Sequence, residues 1–479
     1  MSEAPLKSYI NGAWITPQTS TATLEAINPA TEEVCATIAL CGPDDVDRAV
    51  AAARSAFDDY ASMPLDARIA LAERLVAVFE RRYGEMVAAI STEMGAPYDL
   101  SYNAQAECGP GHIKETIRAA RAMAWDSPIG STGNLTYEAV GVCVLITPWN
   151  WPMNQIAAKV GPALIAGCTV VLKPSEVAPL SAQLFAEFVD EAGYPAGVFN
   201  MVHGTGAMIG DALTSHPDVD MVSFTGSTRA GIQIAKSAAE TVKRVSQELG
   251  GKSANIVFAD ADLKVAVTRG VLHCFSNTGQ SCNAPTRMLV EASVYARAVE
   301  IAAHAAGSVS LGDPMLKGPH LGPVVSKAQF DKIQRLIQTG IDEGARLVAG
   351  GVGRADGFDR GYYVRPTIFA DVTNGMTIAR EEIFGPVLVM IPFKDEADAI
   401  RIANDTPYGL AGYIQSGDLA RARRVGRKIR AGSIYLNGAG QDYCSPFGGY
   451  KQSGNGREWG AFGLHDFLEI KVINGFHPS

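Results

Sequence analysis

Val142-Cys143-Val144-Leu145-Ile146 runs into Thr147-Pro148-Trp149-Asn150-Trp151-Pro152, and a helical pattern follows over about 153–166. A short, unbroken apolar run of this kind marks a strand covered on both faces. The unit then repeats. A strand at 169–172 precedes a helix near 181–192, and one at 198–202 precedes a helix near 206–215. The strand at 219–224 leads into a helix near 227–239, and 243–247 is a candidate fifth strand. Short apolar strands alternating with helices predict parallel βαβ units and a doubly wound α/β sheet. Such sheets bind ligands just beyond the carboxyl ends of their strands, so function is to be sought at those ends.

Upstream, Tyr9-Ile10-Asn11-Gly12-Ala13-Trp14-Ile15 reads as a hairpin, because Asn-Gly suits a two-residue turn between β-formers. Two amphipathic helices are expected near 65–82 and 84–94, with Ile69, Leu71, Leu75, Val76 and Phe79 at helical spacing. Downstream, a second α/β region runs from about 251 to 440, with strand candidates at 254–258, 287–290, 387–391 and Ser433–Leu436. Near the C-terminus, Leu468-Glu469-Ile470-Lys471-Val472-Ile473 alternates apolar and charged residues as a half-exposed strand does. It follows the last helix-like segment with nothing after it to pair with, so a second chain is a candidate partner.

At 479 residues the chain is too long for one compact core, which implies two or three domains. A formal net charge of -9 argues against a nucleic-acid or anionic-membrane partner. No apolar run approaches the roughly 18 residues that span a bilayer. Met1-Ser2-Glu3-Ala4-Pro5 lacks the charged and apolar regions of a secretory leader, so a cytoplasmic location is expected. The eight cysteines form no CxxC pairs and no short regular framework, which points to neither a zinc site nor a disulfide scaffold. Most are expected to be reduced, buried thiols, and no metal is expected.

Three residues stand out for chemistry. Cys282 lies in the polar, glycine-containing turn Asn277-Thr278-Gly279-Gln280-Ser281-Cys282-Asn283, after a helix expected over 263–276, where substrate can reach a thiol. An ordinary thiol is only a few per cent ionised at neutral pH, so a nucleophile here needs a lowered pKa or a base; a loop cysteine without a role is the other reading. Glu248 follows a strand candidate and precedes Leu249-Gly250-Gly251-Lys252-Ser253, as a general base or as a turn residue. Asn150 stands at the carboxyl end of the first strand, between two prolines, where its amide can donate to an oxyanion or simply hold a turn. For a cofactor, Gly226-Ser227-Thr228-Arg229-Ala230-Gly231 is a glycine turn opening a helix, a ready anion site. Gly204-Thr205-Gly206 opens the preceding helix similarly but misses the GxGxxG spacing. In Lys173-Pro174-Ser175-Glu176, a carboxylate at a strand end can hold ribose hydroxyls and repel a 2′-phosphate.

Taken in order along nearly the whole chain, these stretches resemble the aldehyde dehydrogenase superfamily. The motifs are Pro148-Trp149-Asn150-Trp151-Pro152, Lys173-Pro174-Ser175-Glu176, Phe224-Thr225-Gly226-Ser227-Thr228 and Glu248-Leu249-Gly250-Gly251-Lys252-Ser253. They continue with the Gly279–Cys282 turn, Glu381-Glu382-Ile383-Phe384-Gly385-Pro386 and Pro446-Phe447-Gly448-Gly449-Tyr450-Lys451-Gln452-Ser453-Gly454. The resemblance implies that Cys282 attacks the aldehyde carbon, that Asn150 and the Cys282 backbone N–H hold the oxyanion, and that the thiohemiacetal is oxidised to a thioester. Glu248 then activates water to release the acid. It also implies a catalytic neighbourhood for Lys159, which alone reads as a helix-surface lysine. The implied cofactor is NAD, with NADP possible, held by Ile146, Trp149, Lys173, Ser175, Glu176, Gly206, Phe224, Gly226, Ser227, Glu382 and Phe384. Three parts are implied: an NAD(P)-binding domain over 1–120 and 140–250, a catalytic domain over 251–452, and small oligomerisation segments at 121–139 and 465–479. The last would pair chains into homodimers or homotetramers.

The enzymatic rival is a CoA-acylating relative, which generally lacks the glutamate that Glu248 matches; a non-catalytic protein keeping the fold and a cofactor-free cysteine hydrolase are the others. The loop Gly438-Ala439-Gly440-Gln441-Asp442-Tyr443-Cys444 aligns with the family's variable substrate loop and carries no Arg or Lys, which disfavours dicarboxylic semialdehydes. Ala157 and Ala158 fall where larger side chains often narrow the aldehyde tunnel, so a bulky aliphatic or aromatic aldehyde is expected.

Overall fold

The computed structural model describes residues 4–17 and 20–477; residues 1–3, which begin the stretch read for a leader, and 478–479, which end the last segment, lie outside the described residues. Val142–Ile146 runs parallel to Met221–Thr225 on one side and to Thr169–Lys173 on the other. Arg244–Glu248 extends the first flank and Phe199–Met201 the second. Chain order therefore reverses between Val142–Ile146 and Met221–Thr225, and the doubly wound sheet opens a cleft at their carboxyl ends. The strand and helix ends expected over 142–248 shift by no more than two residues. At one edge the hairpin Ser8–Ile10 and Ala13–Ile15 adds two antiparallel strands, with Asn11 and Gly12 both at positive φ.

Alternation along the buried strands feeds two cores. Cys143, Leu145, Val170 and Leu172 face helices Leu65–Arg81, Tyr83–Met94, Pro152–Ala166 and Pro179–Glu191. Val142, Val144, Ile146 and Val171 face helices Pro43–Ala61 and Gly206–Ser215. The fully buried Glu93 ties the first layer together by accepting from the Leu180 and Ser181 N–H groups at the start of helix Pro179–Glu191. Glu93→Ala strands both donors in the core. It is expected to lower the unfolding free energy by about 2 kcal/mol, read from the urea midpoint at an unchanged m value.

The second α/β region forms a seven-stranded sheet in the order Arg346–Ala349, Thr367–Ala370, Val387–Phe393, Arg287–Glu291, Ala254–Val257, Ala411–Gln415, Ser433–Leu436. All neighbours are parallel except the first pair. Ala411–Gln415 begins Ala-Gly, a weak strand signal; its pairing with Ala254–Val257 and burial on both faces make it a strand.

The C-terminal strand corrects one expectation. Leu468–Ile473 pairs antiparallel with Gly133–Ala139 of the same chain, in a three-stranded sheet completed by Asp126–Ile129. Its partner is supplied from more than three hundred residues upstream, a separation over which local sequence carries no pairing signal. Among the described residues, no helix is long and apolar enough to cross a membrane.

Candidate active site

Two adjoining cavities occupy the switch-point cleft. One, of about 590 Å³, is lined by Ile146, Thr147 and Pro148 at the end of the first strand and by Phe224 and Gly226 at the end of its neighbour. Lys173, Ser175, Glu176 and Gly206 complete its far wall, with Lys173 Nζ 3.2 Å from Glu176 Oε2. The second, of about 190 Å³, contains Trp149, Asn150, Gly226, Ser227, Cys282, Glu382 and Phe384. All the residues expected to hold a cofactor therefore line these two cavities. Ser227 caps helix Thr228–Ala238 by accepting from the Ala230 N–H, so the helix N-terminus opens toward the cleft. Phe384 sits at positive φ with its ring edge-on to Trp149 at 5.4 Å. Glu382 accepts from the Gly251 N–H at 2.9 Å, and a Cβ on Gly250 would stand 2.7 Å from its carboxylate.

A third cavity, of about 300 Å³, opens on the other side of the thiol. Trp151, Asn154 and Gln155 form one wall, Tyr413 and Tyr435 a second, and Phe447 and Trp459 a third. The last two pairs are stacked rings, each with centroids 4.8 Å apart. Ala439, Gly440 and Gln441 also line the cavity. Cys282 is the one residue common to this cavity and to the cleft beside Glu382 and Phe384. A larger groove of about 750 Å³ on the outer side of helix Leu263–Phe275 meets the third cavity at His273, Tyr413 and Ala439, away from the thiol.

The Cys282 loop is held by long-range bonds. Asn277, Thr278 and Gly279 are consecutive left-handed residues, and a Cβ at Gly279 would lie 2.1 Å from the Gly385 carbonyl oxygen. Only glycine fits there. Asn277 Nδ2 and Gln105 Nε2 donate to the Asn150 carbonyl at 2.9 and 3.1 Å, and Gln280 Oε1 accepts from the Val325 N–H. The buried Asn150 gives one amide proton to the Gln280 carbonyl at 3.0 Å, which leaves the other for a ligand beside Cys282.

Glu248 ends its strand at 3 % exposure with neither carboxylate oxygen hydrogen-bonded. It lines neither cavity that Cys282 joins. Burial, then the Glu458 charge, push its pKa well above the usual carboxylate value, and Lys159 opposes them. Lys159 is no surface lysine. It is fully buried, donating to Thr225 Oγ1 at 2.6 Å and ion-paired with Glu458, because the face of helix Pro152–Ala166 that carries it packs inside the molecule. Of the two routes open to a nucleophilic thiol, the surroundings do not supply a lowered pKa: burial first, then the Glu248 and Glu382 charges, push Cys282 up. The resting group is a thiol, and a base or a nearby positive charge is needed to ionise it.

Ala157 and Ala158 do not line the third cavity. Helical spacing turns Trp151, Asn154 and Gln155 to it, while Ala157 packs in the core and Ala158 is buried beyond it. Cys444 is exposed and lies outside its wall. Sequence reasoning missed Gln329 and Lys332 in the Glu382 cleft, Glu458 beside Lys159, and Trp459. Only Glu458 and Trp459 had a local pointer, as they follow closely on the Pro446–Gly454 motif.

Two cavities meet at one thiol, with room for a ligand on either side of it. The aldehyde dehydrogenase family model matches residues 14–473. The chain is 52% identical over 472 residues to the 3-succinoylsemialdehyde-pyridine dehydrogenase of a Pseudomonas species, covering 98% of each. It superposes on an aldehyde dehydrogenase from Bartonella henselae with a TM-score of 0.96 at 52% identity, covering 98% of this chain and 99% of that one. A mutant of aldehyde dehydrogenase C from Pseudomonas syringae, complexed with NAD+ and octanal, matches with a TM-score of 0.96 at 49% identity, covering 99% and 97%. The chain belongs to the aldehyde dehydrogenase family, and so to the oxidoreductases.

Proposed function

We propose that this chain oxidises a bulky aliphatic or aromatic aldehyde to its carboxylic acid with NAD+, through a thioester on Cys282 that water resolves. The observation that carries this is the position of Cys282 as the one residue shared by the two cavities. The aromatic walls of the third cavity suit a large apolar body. The 3-succinoylsemialdehyde-pyridine for which the Pseudomonas relative is named and the octanal in the complex of the Pseudomonas syringae enzyme are consistent with that size.

The cleft fits the cofactor on its own chemistry. Thr147 Oγ1 is buried there without a partner, Glu176 offers a carboxylate for ribose hydroxyls, and the N-terminus of helix Thr228–Ala238 offers N–H groups to a pyrophosphate. Glu176 also disfavours a 2′-phosphate, so NAD+ is preferred to NADP+. When bound, NAD+ supplies the two-electron acceptor and a positive ring charge in the cavity that Cys282 lines. The residues do the rest. The Cys282 thiolate adds to the aldehyde carbon, and the free Asn150 amide proton and the Cys282 N–H hold the resulting oxyanion. Glu248 takes a proton from water at the thioester, after a side-chain rotation that brings it out of its recess. A second copy of the chain pairs along the exposed Leu468–Ile473 edge, where Ile470 is 65% exposed.

NADH formation from an aldehyde panel, with NAD+ or NADP+ and with or without CoA, tests this. CoA-independent turnover favouring NAD+ is expected. A requirement for CoA would remove the role given to Glu248, and a higher kcat/KM with NADP+ that given to Glu176.

A further inference from the structure

We propose that Gln105 is a positioning residue of the oxyanion site: its side-chain amide fixes Asn150 against the Cys282 loop, and so sets how fast the thiol is acylated. This rests on the roles given above to Cys282 and Asn150. Gln105 is fully buried and lines neither cavity that Cys282 joins. It ends the π-helical turn Ser101–Gln105, closed by the Ala106 N–H donating to the Ser101 carbonyl at 2.9 Å. Wide turns of this kind are uncommon and recur at functional positions. One nitrogen serves two acceptors. Gln105 Nε2 donates to the Asn150 carbonyl and to Asn277 Oδ1, each at 3.1 Å. Asn277 Nδ2 in turn donates to the Asn150 carbonyl at 2.9 Å and to the Gln280 carbonyl at 3.1 Å. The Gln280 carbonyl also takes one proton of the Asn150 side chain, at 3.0 Å. These bonds close a ring that runs from Asn150 through Gln105 and Asn277 to Gln280, two residues before Cys282, and back. Among the described residues only Gln105 donates to Asn277 Oδ1, so it decides which way the Asn277 amide faces.

The ring fixes the Gln105 amide as well. Turned over, its oxygen would stand against two other oxygens that need donors, so the nitrogen has to face them. That orientation leaves Gln105 Oε1 buried with no partner among the described residues. An unpaired buried oxygen is unfavourable, and here it accompanies the two bonds that join Asn150 to Asn277. The clamped segment is itself strained. Asn277 and Thr278 both hold φ 54°, and left-handed backbone is rare for a β-branched threonine. Such a stretch keeps its shape only while its surroundings hold it. Without Gln105, Asn277 is free to turn and the segment to relax. The remaining Asn150 amide proton and the Cys282 N–H then no longer converge on one oxygen. A misplacement of about 1 Å at a reacting centre costs roughly 10²-fold in rate.

Two reactions of the same thiol test this, both with NAD+ bound. One is the NADH burst with octanal and with benzaldehyde, which passes through the oxyanion. The other is alkylation of Cys282 by iodoacetamide, followed on its peptide by mass spectrometry; sulfur displaces iodide at carbon and no oxyanion forms. Gln105→Leu is expected to slow the burst by about 10²-fold and to leave alkylation within about threefold of wild type. Asn150→Ala alone should slow the burst by roughly 10²- to 10³-fold, and adding Gln105→Leu to it should change little further, because both act through one group. Gln105→Glu keeps the shape but puts oxygen where the nitrogen was. It is expected to slow the burst in the same sense, and decides the matter should Gln105→Leu not fold. Alkylation slowed as much as the burst, or a full further loss in the Asn150→Ala background, makes Gln105 a structural support and overturns the proposal. A wild-type burst in Gln105→Leu, or in Gln105→Glu where the first does not fold, does the same. These outcomes leave aldehyde oxidation intact. A wild-type burst in Asn150→Ala, or no burst from either aldehyde in wild type, overturns both this proposal and the reading on which it rests.

Discussion

Cys282→Ala is expected to lower kcat with any aldehyde by roughly 10⁴-fold or more, the scale of loss seen when a covalent nucleophile is removed. The variant should still be protected from heat by NAD+, since the groups proposed to hold the adenosine end lie in a cavity that Cys282 does not line. The two readouts together separate lost chemistry from lost folding. Turnover within tenfold of wild type would pass the nucleophile's role to another thiol, and Cys108 is the other cysteine in the wall of the aldehyde cavity. Cys108 lines that cavity alone and not the cleft beside Glu382 and Phe384, so it lacks the shared position of Cys282 and is a poor substitute.

Glu248→Gln is expected to slow steady-state turnover by roughly 10²- to 10⁴-fold, the contribution of a positioned general base. Acylation does not need this base, so a burst of NADH stoichiometric with the sites should remain. The wild-type pH profile follows from the direction of the Glu248 shift. Burial and the Glu458 charge keep its proton on at pH values where an ordinary glutamate is ionised. The base form grows as pH rises, so turnover should climb through a range above the usual carboxylate value, and the glutamine variant should lose that limb. The stability effect has a fixed sign too. A proton held more tightly in the folded state adds stability that is complete below the unfolded value of about 4.3 and is lost as pH rises to the folded one. Glu248→Gln, neutral throughout, should therefore gain Tm relative to wild type as pH increases. Glu248 is electrostatically linked to Glu458 and Lys159, so the limb belongs to the cluster. A flat wild-type profile, or full steady-state turnover in the variant, would refute the assignment.

The cofactor cleft was legible because its parts are local. Ile146, Lys173 and Phe224 each end or nearly end a strand whose apolar run is visible in the sequence, and Gly226 and Ser227 open a helix just after one. A doubly wound sheet brings such ends to one side, so reading the strands located the cleft. The aldehyde cavity was not legible in that way. Its walls combine helix Pro152–Ala166, strand Ala411–Gln415 and the segment around Trp459, which no sequence period links. Ala157 and Ala158 were the wrong residues of the right helix. Which face turns to a cavity depends on what packs on the other side, and here Ala157 is taken by the core.

Composition and periodicity thus decided the fold class and the cleft, since each depends on patterns within tens of residues, while Cys282 was singled out by motif order along the chain. Tertiary structure alone decided the states of the groups. Lys159 looks like a surface lysine until Glu458, 299 residues away in the chain, is found bonded to it in the interior. The Cys282 loop leaves open whether its thiol has a lowered pKa or needs a base, and burial with two carboxylates pushes it up. Leu468–Ile473 looks unpartnered until Gly133–Ala139 folds back beside it. Desolvation, charge proximity and strand pairing depend on distance in space, and distance along the chain carries almost no information about it.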